Sequence, residues 1–195
     1  MQYPDAFNYI EQLQLVIVAI GVAKILVGLS WLLENRNVCG TYWVHTLGAV
    51  LVGLLQLQYA WTSFFDYSVV RWSFGDFLLE CSTPMIYLFV SNLLFPDSLP
   101  ERCNLTKTYR THIPLIAGLA IASQVANSIL DFRFHPGEAH HVLQHVIRGA
   151  VIVVLCGFFL PFPRFKRIHE IVIVLLIVAF IIFCLFLTPS IQVHP

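Results

Sequence analysis

The sequence predicts an all-α integral membrane protein: a six-transmembrane helix bundle with short loops, both termini outside. Three observations predict it. First, 58% of the 195 residues are hydrophobic and 11% are charged, against roughly 25% charged in a soluble domain. Such a chain cannot hide its apolar surface in its own core, so lipid must take the rest. Second, six segments reach the roughly 20 mostly apolar residues needed to cross a bilayer. Third, the basic residues between them divide unevenly between the two sides.

The spans are 13–33, 43–64, 77–95, 112–131, 141–162 and 168–188, in one transmembrane domain covering 1–195. The first follows "MQYPDAFNYIEQLQ", which has no Lys or Arg. A cleavable signal peptide needs a positive start, so none is expected. "ENRNVCG" separates it from the second span, which opens on Tyr42 and Trp43 at a membrane edge. The loop "WTSFFDYSVVRWSFGD" is crowded with aromatic rings and is expected in the outer interface. The third span contains Pro84, which removes one backbone bond and should kink it. "FPDSLPERCNLTKTYR" leads to the fourth span, with Pro114 near its start, and "PFPRFKR" is the Pro-rich turn between the fifth and sixth. Pro189 ends the sixth. Small residues at helical spacing (Gly21 and Gly28; Gly48, Ala49 and Gly53; Gly118, Ala122 and Ala126) mark close helix approach, within the chain or between copies.

Orientation follows from the cations. One side collects Arg36, Arg102, Lys107, Arg110, Arg164, Lys166 and Arg167; the other has Arg71 and Arg133. The richer side is cytoplasmic, which places both termini outside, periplasmic in a bacterial cell, with the chain a multi-pass component of the cell (inner) membrane.

Composition also excludes. Formal charge is zero, leaving no basic footprint for nucleic acid. The five cysteines are scattered without C-x-x-C, which argues against a disulfide framework or a zinc finger. There is no Walker A, G-x-S-x-G or H-E-x-x-H sequence, so ATP-driven work and the common hydrolytic mechanisms are not expected.

The informative residues are polar ones at membrane depth, where each is costly. Asp76, Glu80 and Thr83 are spaced i, i+4, i+7; Gln124, Asn127 and Asp131 are spaced i, i+3, i+7; His141, His145 and Arg148 are spaced i, i+4, i+7. Each trio forms one stripe on one helix face. Gln56 and Tyr59 add a shorter stripe, and Lys24 sits near the middle of the first span. The topology puts the stripes at a shared depth in the outer half. The expectation is an outward-facing polar cavity lined by Lys24, Gln56, Asp76, Glu80, Gln124, Asn127, Asp131, His141, His145 and Arg148.

That cavity predicts a small channel or gradient-driven transporter for an ion or small polar solute, with the bilayer, the solute and further copies of the chain as partners. Two alternatives stand beside it. His141 and His145, one turn apart, could bind a metal with a third ligand. His45, His112 and His169, each at a cytoplasmic span start, could form a ligand cluster for metal or haem. Either would make the chain a membrane enzyme or electron carrier; otherwise no cofactor is expected. The last alternative is a structural or sensory subunit.

Overall fold

Ser73 begins the best-defined helix in the chain. Its backbone N–H and its hydroxyl both donate to Asp76 Oδ2, at 2.8 and 2.7 Å, and its hydroxyl accepts from the Asp76 N–H. This reciprocal cap satisfies donors that a helix start leaves orphaned. The computed structural model of the protein describes residues 3–37, 42–63, 73–96, 105–134, 147, 149–154, 156 and 166–186. Apart from short flanks at helix ends they are helical, with no strand among the described residues. The elements are α1 (Tyr3–Glu34), α2 (Trp43–Ser63), α3 (Phe74–Leu94), α4 (Leu105–Phe134), α5 (described at 147, 149–154 and 156) and α6 (Lys166–Phe186).

Four of these contain stretches long and apolar enough to cross a membrane: Tyr9–Glu34, Phe74–Leu94, Leu105–Leu130 and Arg167–Cys184. α2 is as long as α3, but His45, Gln56 and Gln58 dilute its apolar character. Two helices begin earlier than hydropathy predicts: α1 at Tyr3 rather than 13, and α4 at Leu105 rather than 112. Backbone hydrogen bonding carries a helix past the apolar edge into polar sequence, and a hydropathy window cannot see that. Pro114 consequently lies inside α4 rather than near its start.

α1 packs most extensively on α3, and α3 on α4; α2 lies against α1, α3 and α6. The buried core runs through Ile25 and Leu32 of α1, Val44 and Ala49 of α2, Leu94 and Phe95 at the end of α3, and Leu105, Tyr109 and Ile113 of α4. Val27, Phe89, Val125 and Ile181 point outward, on α1, α3, α4 and α6. So much apolar side chain on the outside is what a bilayer solvates and water does not.

Candidate functional site

Pro84 sits inside α3, and a proline has no N–H to give the carbonyl four residues back. That carbonyl belongs to Glu80. The Tyr59 hydroxyl of α2 lies 3.1 Å from it and 3.0 Å from the Glu80 carboxylate oxygen Oε1. One phenol proton from a neighbouring helix thus serves both the carbonyl orphaned by proline and the Glu80 carboxylate.

The other polar residues are likewise joined across helices. Thr83 donates to Asn127 Oδ1 at 2.8 Å, and Ser123 donates to Thr83 Oγ1 at 3.4 Å, which ties α3 to α4. Asp76 forms an ion pair with Arg133 of α4 at 2.8 Å. Gln56 is fully buried and donates to Ser91 Oγ at 2.9 Å; its Oε1 has no hydrogen-bond partner and presses on Gly21 of α1. Gln124 donates to Ser128 at 3.4 Å and lies against Gly149 of α5, where a Cβ would come within 3.1 Å of its amide nitrogen. Lys24 is half-buried on α1. The Asp131 side chain, His141, His145 and Arg148 lie outside the described residues. Of the described stripe members, Tyr59 with Glu80 and Thr83 with Asn127 bond one another across helices, whereas Gln56 and Asp76 bond residues outside the stripes and Gln124 bonds within its own helix.

A second assembly forms where α3 ends and α2, α4 and α6 begin. His45 and His169 are each 1% exposed. Their rings meet the Tyr109 ring edge-on, at centroid distances of 6.0 and 5.9 Å. Tyr42 approaches the same ring at 5.5 Å, and Phe95 packs on His45 at 5.2 Å. His45 Nε2 lies 3.0 Å from the carbonyl of Leu94, the last residue of α3. A carbonyl only accepts, so Nε2 carries the proton of this bond. Burial and the nearby Glu170 charge raise the Tyr42 phenol above its ordinary pKa, with Arg110 opposing, so Tyr42 stays a neutral phenol at physiological pH. Of the three histidines expected to cluster, two flank Tyr109. His112 is half-buried and makes none of these ring contacts, because three residues along α4 turn it about 60° from Tyr109. Among the described residues, no group of three or more His, Cys, Asp or Glu is arranged to hold a metal ion.

Tyr109 also closes one end of a cavity of about 360 Å³ between α2, α4, α5 and α6. Its wall includes Gly48, Leu51 and Leu55 of α2, Ile113, Ala117 and Ala120 of α4, Ile147 and Cys156 of α5, and Ile173 and Phe183 of α6. Among the described residues Gln58 is the only amide on it. The volume falls within the roughly 300–1,000 Å³ of small-molecule sites.

Sequence reasoning singled out Gln56 but not Gln58, Ser91, Ser123 or Tyr109. Gln58 lies two residues from Gln56 and so points to nearly the opposite side of α2; that offset was readable. Ser91 and Tyr109 carry no comparable signal, since a serine or tyrosine in an apolar helix is unremarkable until its neighbour is known.

The fold and these sites define a class: an all-helical protein with four helices long and apolar enough to cross a membrane. No protein-family model matches the chain, and no curated protein or solved structure is significantly similar to it.

Proposed function

We propose that the chain is a six-span membrane protein, with both termini on the outer side, that binds and carries an elongated, mostly apolar molecule taken from the bilayer. The single observation that supports this is the cavity of about 360 Å³ between α2, α4, α5 and α6, with its almost wholly apolar wall. A void of that size forfeits the dispersion contacts of its lining, and an apolar occupant restores them. The bilayer holds such molecules at high concentration. The test is organic extraction of protein purified without added lipid, followed by mass spectrometry. Wild type is expected to retain a stoichiometric apolar molecule, and Ala120→Phe, which fills the space, to retain far less at unchanged helix content. Absence of any retained molecule, or equal retention by both, overturns the reading.

A second reading, passive or gradient-driven flux of an ion or small polar solute, draws support from the unpartnered Gln56 Oε1 and from Gln124 abutting Gly149 of α5. It is the weaker one, because Glu80, Asp76, Thr83 and Asn127 bond within the protein. It predicts that Glu80→Gln and Arg148→Gln abolish flux in proteoliposomes; full flux in both variants rules it out. Several copies of the chain could assemble around such a path, and the open face of Gly118, with nothing within 4 Å of an added Cβ, suits that.

A further inference from the structure

We propose that Gln58 reads the head of the molecule held in the cavity, and that this molecule is a single-tailed amphiphile with a neutral, acceptor-bearing head such as an ester or ketone carbonyl. The proposal rests on the cavity reading above and adds the occupant's chemistry and direction.

Three observations carry it. The first is an orphan donor. Gln58 is the one amide on the cavity wall among the described residues, and its Nε2 is buried with no hydrogen-bond partner. An unmet buried donor costs about 1–3 kcal/mol, so a ligand acceptor has something to relieve. The terminal amide torsion of glutamine is broad, and turning it toward an acceptor costs little. The second is position. Gly48 and Gln58 both line the cavity, ten residues apart on α2, or about 15 Å along the axis. Gly48 faces Ile173 at the start of α6, near the Tyr109 end. An occupant aligned with the helices therefore has one end at Gln58 and the other against Leu94 and Tyr109. Among the described residues the lining at the Tyr109 end is mostly aromatic and aliphatic, with the Tyr109 phenol and the neighbouring Cys156 thiol as its polar groups, which suits a tail better than a carbonyl head that needs a free donor. The third is charge. No Asp, Glu, Lys or Arg lines the cavity among the described residues, so a carboxylate or ammonium head has no counter-charge there, whereas a neutral carbonyl needs only the amide. A volume near the lower end of ligand sites fits one tail.

The experiment compares two probes with the same tail: methyl dodecanoate, whose head only accepts, and dodecane, which has no head. Full-length protein in nanodiscs is equilibrated with each deuterated probe, and uptake beyond that of empty nanodiscs is read by mass spectrometry. Wild type is expected to favour the ester by about tenfold, the ratio given by one hydrogen bond to a buried donor. Gln58→Leu, close in volume and apolar, is expected to lose that preference while still taking up dodecane. Equal uptake of both probes by wild type, or a preference that survives in Gln58→Leu, overturns the proposal and leaves the cavity reading intact. Uptake of neither probe above empty nanodiscs overturns both. Uptake of dodecane by Gln58→Leu also shows that the variant has folded.

Discussion

The Glu80 carbonyl loses its helical donor to Pro84 and finds one in Tyr59. The two substitutions should therefore be coupled. Tyr59→Phe alone leaves a carbonyl and a carboxylate oxygen without their donor, and is expected to cost about 1–3 kcal/mol of stability. Pro84→Ala restores the intrahelical donor, so Tyr59→Phe should cost measurably less in that background. Thermal or denaturant unfolding of the four proteins of the cycle checks this; strictly additive effects would mean that Tyr59 does not serve the proline's orphan. The wider polar set follows the same logic. Thr83, Asn127 and Ser123 share hydrogen bonds that would otherwise be missing in an apolar medium. Interhelical bonds of this kind average about 0.6 kcal/mol in membrane proteins, so they steer register more than they hold the bundle together.

Between helices, glycine does two different things. An added Cβ at Gly28 would collide with the ring of Phe95, and one at Gly21 with the amide of Gln56, whereas nothing lies within 4 Å at Gly118. Phe95 is 2% exposed and cannot retreat; the Gln56 amide ends a flexible side chain. Gly28→Ala is therefore expected to cost about 1–3 kcal/mol, as overpacking does, and Gly21→Ala less. Gly118→Ala should be neutral or stabilise by up to about 1 kcal/mol through helix propensity. Unfolding midpoints of the three variants rank them; a destabilised Gly118→Ala would show that this face is covered, as by another copy. The three small-residue stripes look alike in sequence. They differ because α1 meets α2 and the end of α3 closely, while Gly118 and Ala122 face outward.

For the whole molecule, the distribution of charge predicts an orientation. Seven cations (Arg36, Arg102, Lys107, Arg110, Arg164, Lys166 and Arg167) against two (Arg71 and Arg133) predict cytoplasmic loops after α1, α3 and α5. Cysteines introduced near Gln2 and at Ser190 in a cysteine-free background should both react with an impermeant maleimide in intact cells, and one at Asn37 should not. Labelling of only one terminus would refute the even number of crossings. The same topology puts the His45–Tyr109–His169 assembly at the cytoplasmic end and Gln58 nearer the outer surface, so the cavity runs lengthwise through the bundle.

Much of this was legible before any coordinates. Asp76, Glu80, Gln56 and Asn127 stand out because a polar group in an apolar helix is costly and seldom idle, and the structure gives each of them a bonded partner. His45 and His169 stand out for the same reason and do converge, though through the ring of Tyr109. What escaped were the partners, Ser91, Ser123 and Tyr59's carbonyl contact. Their side chains are ordinary in such helices, and only the meeting of two helices gives them a task.

The sequence by itself determined the helical make-up of this protein and the presence of helices apolar enough to cross a membrane, because apolar content and segment length are sums along the chain and need no contacts. It also determined which residues had to find partners, since the cost of burying them is local. Only the tertiary structure decided who those partners are: Tyr59 for Glu80, Asn127 for Thr83, Ser91 for Gln56 and Arg133 for Asp76. It alone shows the open space among Gly48, Ala117, Ala120 and Phe183, with Gln58 at one end. A cavity is what several packed helices leave unfilled between them, and no periodicity along any one of them records it.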